Sequence, residues 1–261
     1  MADAFFVDEG DGRFTSTKWT IGPWSSESQH AGPPAALLGR ALERVIDRPD
    51  QQIVRATFEI LRPVPVAPLR VTAEVIRPVR SVVLAAASLS DDDGEVMRAQ
   101  GWAIRTDDLE LEATVHGDAP PAGPDEREAA FGMFPTGEST YLTAMEWRFV
   151  RGGFGEPGPA ATWARMRYPL IEGEEVSPLT RVLVLADSGN GISSALDFSK
   201  WVFINPDLSV YLHRLPAGEW VCLDAQTTIE PTGIGLATST LSDERGVIGR
   251  GSQSLFIAAR R

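Results

Sequence analysis

The stretch VTAEVIRPVRSVVLAAASLSDDDGEVMR, Val71 to Arg98, aligns without a gap on LDAQTTIEPTGIGLATSTLSDERGVIGR, Leu223 to Arg250. Eight positions are identical: Ala73/Ala225, Leu84/Leu236, Ala85/Ala237, Leu89/Leu241, Ser90/Ser242, Asp91/Asp243, Gly94/Gly246 and Arg98/Arg250. Ordinary composition gives about two by chance in a window of this length. The two segments therefore read as copies of one unit. Each copy reads as strand, turn, strand, because the acidic LSDDDG and LSDERG stretches end in Gly and separate β-rich runs.

Outward from the repeat, each half gains the same further parts. IVRATFEILRPV (Ile53 to Val64) and LSVYLHRL (Leu208 to Leu215) read as upstream strands. Before each lies one helical pattern. In PPAALLGRALERVI, Pro33 and Pro34 suit a first turn, and Leu38, Leu42 and Val45 recur at helical spacing. In SPLTRVLVLAD, Ser177 is the expected N-cap and Leu179, Val182, Leu183 and Ala186 form the apolar stripe. One apolar helix wrapped by one curved antiparallel sheet is a two-layer α+β unit, here present twice. Between the halves, from about Thr106 to Ser139, the chain turns rich in Pro, Gly, Ala and acids. This predicts a linker at 121–139 between an N-terminal repeat at 1–120 and a C-terminal repeat at 140–261.

Composition narrows the function. The chain has 261 residues, and its 24 basic against 36 acidic side chains leave a formal charge of −12, which disfavours nucleic acid. One cysteine, Cys222, permits no internal disulfide, and His30, His116 and His213 stand far apart, so no metal or cofactor is expected. The opening MADAFFVDEGDG is acidic and lacks a long apolar core, so it does not read as a secretory signal. No apolar run approaches the roughly 20 residues that span a bilayer. A cytoplasmic protein without a membrane partner is expected.

Four stretches carry a resemblance: GPWSSESQHAGPPAALLGRAL in the first half, and PLTRVLVLADSGNG, FINPDLSVYLHRLPAGEWVCLDAQTT and GVIGRGSQSLFI in the second. In order and spacing the sequence resembles the acyl-CoA thioesterase II (TesB-like) branch of the thioesterase superfamily. The resemblance implies a double hotdog, with the sheets of the two repeats pairing into one continuous sheet. It also implies a catalytic Asp at the end of the second helix, a Thr on a following strand and a Gln near the last strand. Residue by residue these are Asp187 in LADSGNG, Thr228 in GEWVCLDAQTT and Gln253 in GRGSQSL. Thr227 is the neighbouring alternative, because IEPTGIG departs from the Ser- and Ala-rich stretch of the family.

The residues themselves leave choices open. Asp187 follows Leu183 by one helical turn, at the edge of the apolar stripe, where a carboxylate needs hydrogen bonds or water. It serves equally as a helix-end residue before Ser188-Gly189-Asn190-Gly191. Period-2 alternation puts Thr228 with Cys222, Asp224 and Gln226 on the more polar face of its strand, which suits a site between the halves. A strand Thr also stands there for β propensity alone. Gln253 alternates with Leu255 and Ile257, so its amide is inward and must be hydrogen-bonded, to a catalytic water or to backbone. Gln100 is its counterpart in the first half with a one-residue slip, but the first helix offers no Asp and Glu43 projects to its solvent side, so one site per chain is expected.

The chemistry implied is hydrolysis of an acyl-CoA thioester in fatty acid metabolism by a directly activated water. Asp187 would be the base, Thr228 and Gln253 the holders of the water, and His30, Gly32 and Asn190 the substrate-binding residues. Backbone N–H groups from Gly32 to Ala35 would face the oxyanion. No G-x-S-x-G elbow or suggestive His setting offers a nucleophilic triad. Three rivals remain: a non-catalytic acyl-CoA or lipid-binding hotdog protein, a hotdog enoyl-CoA hydratase, whose His/Asp loop motif FINPDL only superficially resembles, and a large β-barrel binding protein. Further pairing of chains into a homo-oligomer is compatible with any hotdog reading.

Overall fold

The computed structural model describes residues 3–112, 119–124 and 140–260. The first half contributes β1 (Phe6–Gly10), β2 (Arg13–Ser16), α1 (Gly32–Ile46), β3 (Gln51–Ile60), β4 (Pro68–Pro78), β5 (Val82–Asp91) and β6 (Gly94–Arg105). The second contributes α2 (Tyr141–Ala144), β7 (Met145–Arg151), β8 (Ala160–Met166), α3 (Pro178–Ala186), α4 (Gly189–Ile192), β9 (Trp201–Ile204), β10 (Asp207–Leu212), β11 (Val221–Ile229), β12 (Ile234–Asp243) and β13 (Gly246–Ala259). All the strands belong to one sheet, ordered β1-β2-β4-β5-β6-β3-β10-β13-β12-β11-β8-β7, with β9 added beside β13. Most of the linker expected at 121–139 lies outside the described residues, as does His116.

The duplication is written into the register. Val71 pairs with Leu89 and Leu223 with Leu241; Ala85 pairs with Gly101 and Ala237 with Gln253. Both hairpins carry a bulge at the same place, between Leu89 and Ser90 and between Leu241 and Ser242. The halves join where β3 pairs antiparallel with β10, Thr57 opposite Ser209, and the gapless alignment makes those two residues equivalent. A pseudo-twofold axis therefore passes through that pair.

Each hairpin turn is held by the same clamp. Arg62 donates to both carboxylate oxygens of Asp91, at 2.8 and 2.5 Å, and to the Gly94 carbonyl at 2.9 Å. Arg214 donates to Asp243 at 2.5 and 2.6 Å and to the Gly246 carbonyl at 2.9 Å. The paired, fork-on-fork geometry is the strong form of such a bond. Gly94 and Gly246 take φ of 118° and 134°, which explains why both turns end in glycine.

The two central helices pack against each other and under the sheet. α1 starts with Pro in its first turn, and Ser177 caps α3 by accepting from the Thr180 N–H at 3.1 Å. Both helices are buried on nearly every side, which is why their sequences are apolar beyond a single stripe. Their approach requires small residues. A Cβ on Gly32 would lie 2.1 Å from the Val184 carbonyl oxygen, and one on Gly39 would lie 2.2 Å from the Leu183 Cδ1.

Candidate active site

Asp187 is the residue that follows α3, and the chain continues almost helically through Ser188 into α4. The carboxyl is therefore held at the N-terminal end of α1, deep between the halves, only 5% exposed. Asn205 Nδ2 donates to its Oδ1 at 2.8 Å and Gln253 Nε2 donates to the same oxygen at 3.1 Å. Gln253 also donates to the Asp187 carbonyl at 3.0 Å and accepts the Asn190 N–H on its Oε1 at 3.1 Å. A Cβ on Gly189 would meet that Oε1 at 2.9 Å, so this glycine makes room for the amide. Burial pushes the Asp187 carboxyl up to about 7, against the opposing pull of Asn205, Gln253 and the Ala31 N–H.

His30 faces the second carboxylate oxygen, with Nδ1 at 3.4 Å from Oδ2. Its Nδ1 accepts the Gly32 N–H at 3.0 Å, and the ring stacks on Tyr141 with centroids 3.8 Å apart. Burial drives its basicity down to about 3, so the imidazole is neutral. The Tyr141 hydroxyl donates to the Val184 carbonyl at 2.9 Å and pairs with the Ser188 hydroxyl at 2.8 Å.

Asp187, His30, Asn190 and Asn205 border a cavity of about 510 Å³ between the halves. Its walls are mostly apolar, with Trp24 and Val64 from the first half and Phe198, Phe203 and Phe256 from the second. A concave apolar space with a few convergent polar groups and a displaced carboxyl pKa suits a small-molecule site.

The site differs from the sequence expectation in several places. Thr228 does not belong to it: the residue is exposed on the outer face of β11, whereas Thr227 turns inward. The more polar face of this strand is its solvent face, so polarity pointed the wrong way. Thr227 pairs with the Ser193 hydroxyl at 2.8 Å, and Ser193 donates to the Gly189 carbonyl at 2.8 Å, so Thr227 supports α4. Thr227→Val should cost about 1 kcal/mol of stability, the worth of one hydrogen bond, and Thr228→Val less than about 0.5. Denaturant melts of the two variants measure that difference.

The oxyanion expectation also fails at the start of α1. The Gly32 N–H is taken by His30, Pro33 and Pro34 have none, and the Ala35 N–H bonds the Ala31 carbonyl at 2.9 Å. Gly32 thus serves helix packing and His30 rather than facing the cavity. Gln100 is exposed and stands where the second half has Ser252; the counterpart of Gln253 is Gly101. Glu43 is half-buried, not solvent-facing, and accepts from the Ser177 hydroxyl at 2.7 Å at the N-cap of α3, much as Asp187 lies at the start of α1. With glycine in place of the amide, and Ile53 aligned with Asn205, that second location lacks the donors that surround Asp187. Asn205 went unrecognised in the sequence. Its signal was its position just before β10, where β9 turns back from β13.

Among the described residues no group of His, Cys, Asp and Glu is arranged to hold a metal ion, and no helix is long and apolar enough to cross a membrane.

Two family descriptions match nearly the whole chain: acyl-CoA thioesterase N-terminal domain over residues 20–104 and acyl-CoA thioesterase C-terminal domain over residues 112–257. No curated protein matches. Several solved structures share the fold. A crystal structure from Thermobifida fusca, with a provisional thioesterase II assignment, is 16% identical with a TM-score of 0.75, covering 98% of this chain and 97% of its own. A provisionally assigned thioesterase from Novosphingobium aromaticivorans is 20% identical with a TM-score of 0.74 over 97% and 98%. The acyl-CoA thioesterase II TesB2 of Mycobacterium marinum is 14% identical with a TM-score of 0.68 over 99% and 96%. At these identities the likeness is one of fold, and the fold is the double hotdog that the resemblance implied.

Proposed function

The chain belongs to the acyl-CoA thioesterase family and is a thioester hydrolase, and from that premise we propose that it cleaves acyl-CoA with a water activated directly by Asp187. The observation that carries this reading is a buried carboxyl with one oxygen held by two amides and the other turned toward a neutral imidazole, at the edge of an apolar cavity. The acyl chain occupies the apolar space, and the thioester carbon lies beside Asp187.

Each step then has a residue. Asp187 takes a proton from water as the oxygen attacks the thioester carbon. Gln253 and Asn205 fix the base, so its free oxygen faces the water without reorganisation. Asn190 lines the cavity, and its side-chain amide has no hydrogen bond among the described residues; it is the donor we assign to the carbonyl oxygen as charge develops there. The carbon–sulfur bond breaks, CoA leaves as the thiolate, and the proton on Asp187 passes to it. The products are the free acid and CoA thiol.

The test is thiol release from acyl-CoA esters of graded chain length. Steady release with at least one chain length supports the reading. Binding without release would instead favour a non-catalytic acyl-CoA carrier. Asn190→Ala should lower kcat by about 10²-fold, the typical effect of losing one oxyanion donor, with the melting curve retained.

A further inference from the structure

We propose that His30 is a positioning residue for the base: its Nδ1 lone pair receives the hydroxyl of Asp187 once that carboxylate has taken the proton from water. This rests on the hydrolytic reading above and adds a residue to it.

The hydrogen bonds around Asp187 are one-sided. Asn205 Nδ2, Gln253 Nε2 and the Ala31 N–H all donate to the carboxyl group. Donors suit a carboxylate and the carbonyl oxygen of a carboxylic acid, but the acid's own proton needs an acceptor. The side chain that can accept is His30, because the Gly32 N–H already points at Nδ1 from 3.0 Å and excludes a proton there. The ring is therefore the Nε2–H tautomer, and the same Nδ1 that accepts the Gly32 N–H lies 3.4 Å from the Asp187 oxygen that neither amide holds. An ionised Asp187 has no proton to offer Nδ1, whereas a protonated Asp187 can share that acceptor with the Gly32 N–H in a three-centre bond.

The surroundings keep this arrangement in place. Tyr141 from α2 stacks against the imidazole, and its hydroxyl is occupied by Val184 and Ser188. From the β9–β10 connection come Asn205 and, behind it, Asp207, whose carboxylate accepts the Ser254 N–H and whose carbonyl accepts Asn205. From β13 comes Gln253. Arg62 lines the same cavity with its guanidinium on Asp91. Among the described residues no Arg or Lys side chain stands within 4.0 Å of Asp187, so His30 faces the carboxyl without a competing cation. In the reaction the proton moves from water to the Asp187 Oδ2, rests against Nδ1, and leaves on the departing thiolate; His30 itself gains and loses none.

The direct experiment uses the wild-type protein labelled with 15N-histidine, which has three histidines to assign. A His30→Asn variant identifies the resonance. Expected is an unprotonated Nδ1 and a protonated Nε2 from pH 5 to 9, with the Nδ1 signal moving in one step as Asp187 takes its proton. That step should vanish in Asp187→Asn. A proton on Nδ1, or an Nδ1 signal that ignores Asp187, overturns the proposal. This arm is read without any turnover, so it stands or falls apart from the hydrolytic reading, which thiol release tests. The kinetic arm compares two variants. His30→Asn keeps an acceptor and should keep the pH midpoint of kcat. His30→Leu removes it, so the protonated carboxyl loses its partner and the midpoint should fall by about one unit, a tenfold change in proton affinity. An unchanged midpoint in His30→Leu makes the residue a packing element and overturns the proposal.

Discussion

Asp187→Asn should lose about 10²- to 10⁴-fold in kcat, the range general-base catalysis contributes, while folding as well as the parent. Asparagine keeps the shape, and its carbonyl oxygen can accept from Asn205 and Gln253 as Oδ1 does now. Its amide group can donate to the His30 Nδ1. Stability provides a second readout with a definite sign. The Asp187 carboxyl sits near 7 in the folded chain, against about 3.9 when unfolded. A carboxyl raised on folding contributes stability that is full below about pH 4 and is lost as pH rises through about 7, at most about 4 kcal/mol. The asparagine variant has no such loss. Its advantage over wild type in a denaturant melt should grow between pH 4 and pH 8. An Asn variant that releases thiol at the wild-type rate would remove Asp187 from the mechanism.

Gly32→Ala should be the most damaging single-methyl change at the site. The new Cβ would fall 2.1 Å from the Val184 carbonyl oxygen, a backbone atom that cannot rotate away. Either α1 moves off α3 or the helix start unwinds, at a cost of about 3 kcal/mol, the upper end for overpacking. The consequence reaches the chemistry, because the same glycine N–H orients His30 and the preceding Ala31 N–H bonds Asp187. Circular dichroism melts and thiol release together should show a lower midpoint and a reduced kcat. Gly191→Ala is the control: nothing lies within 4 Å of its added Cβ, and its unfolding free energy should stay within about 0.5 kcal/mol of wild type.

The repeat was legible because a hairpin keeps its register through local chemistry. Turn acids, the closing glycine and the strand apolar positions all survive at fixed spacing, and the alignment runs without a gap through both bulges. The Arg62–Asp91 and Arg214–Asp243 clamps stand at the same spacing, yet only the folded chain shows that each arginine reaches across to a turn. The two apolar helices were legible from capping and spacing. The site was legible only in part. Asp187 and Gln253 were placed by the family resemblance, and the helix end and the alternation with buried residues agree with it without deciding their roles. The threonine could not be fixed, since period-2 alternation separates two faces without saying which one faces the core. Asn205 and the inward turn of Glu43 depend on contacts between segments far apart in sequence, which no local pattern encodes. The start of α1 misled for a different, local reason: Pro33 and Pro34 carry no N–H, and His30, two residues before Gly32, takes the N–H of that glycine.

The pH dependence of kcat for the wild-type protein on one acyl-CoA, from pH 5 to 9, reports the ionisation of the base itself. With Asp187 as the base that must be ionised, log kcat should rise with unit slope below about pH 7, and kcat should reach half its plateau near 7 and level off above it. A rate that is flat across that range, or that falls as pH rises through 7, would contradict a carboxylate base at Asp187.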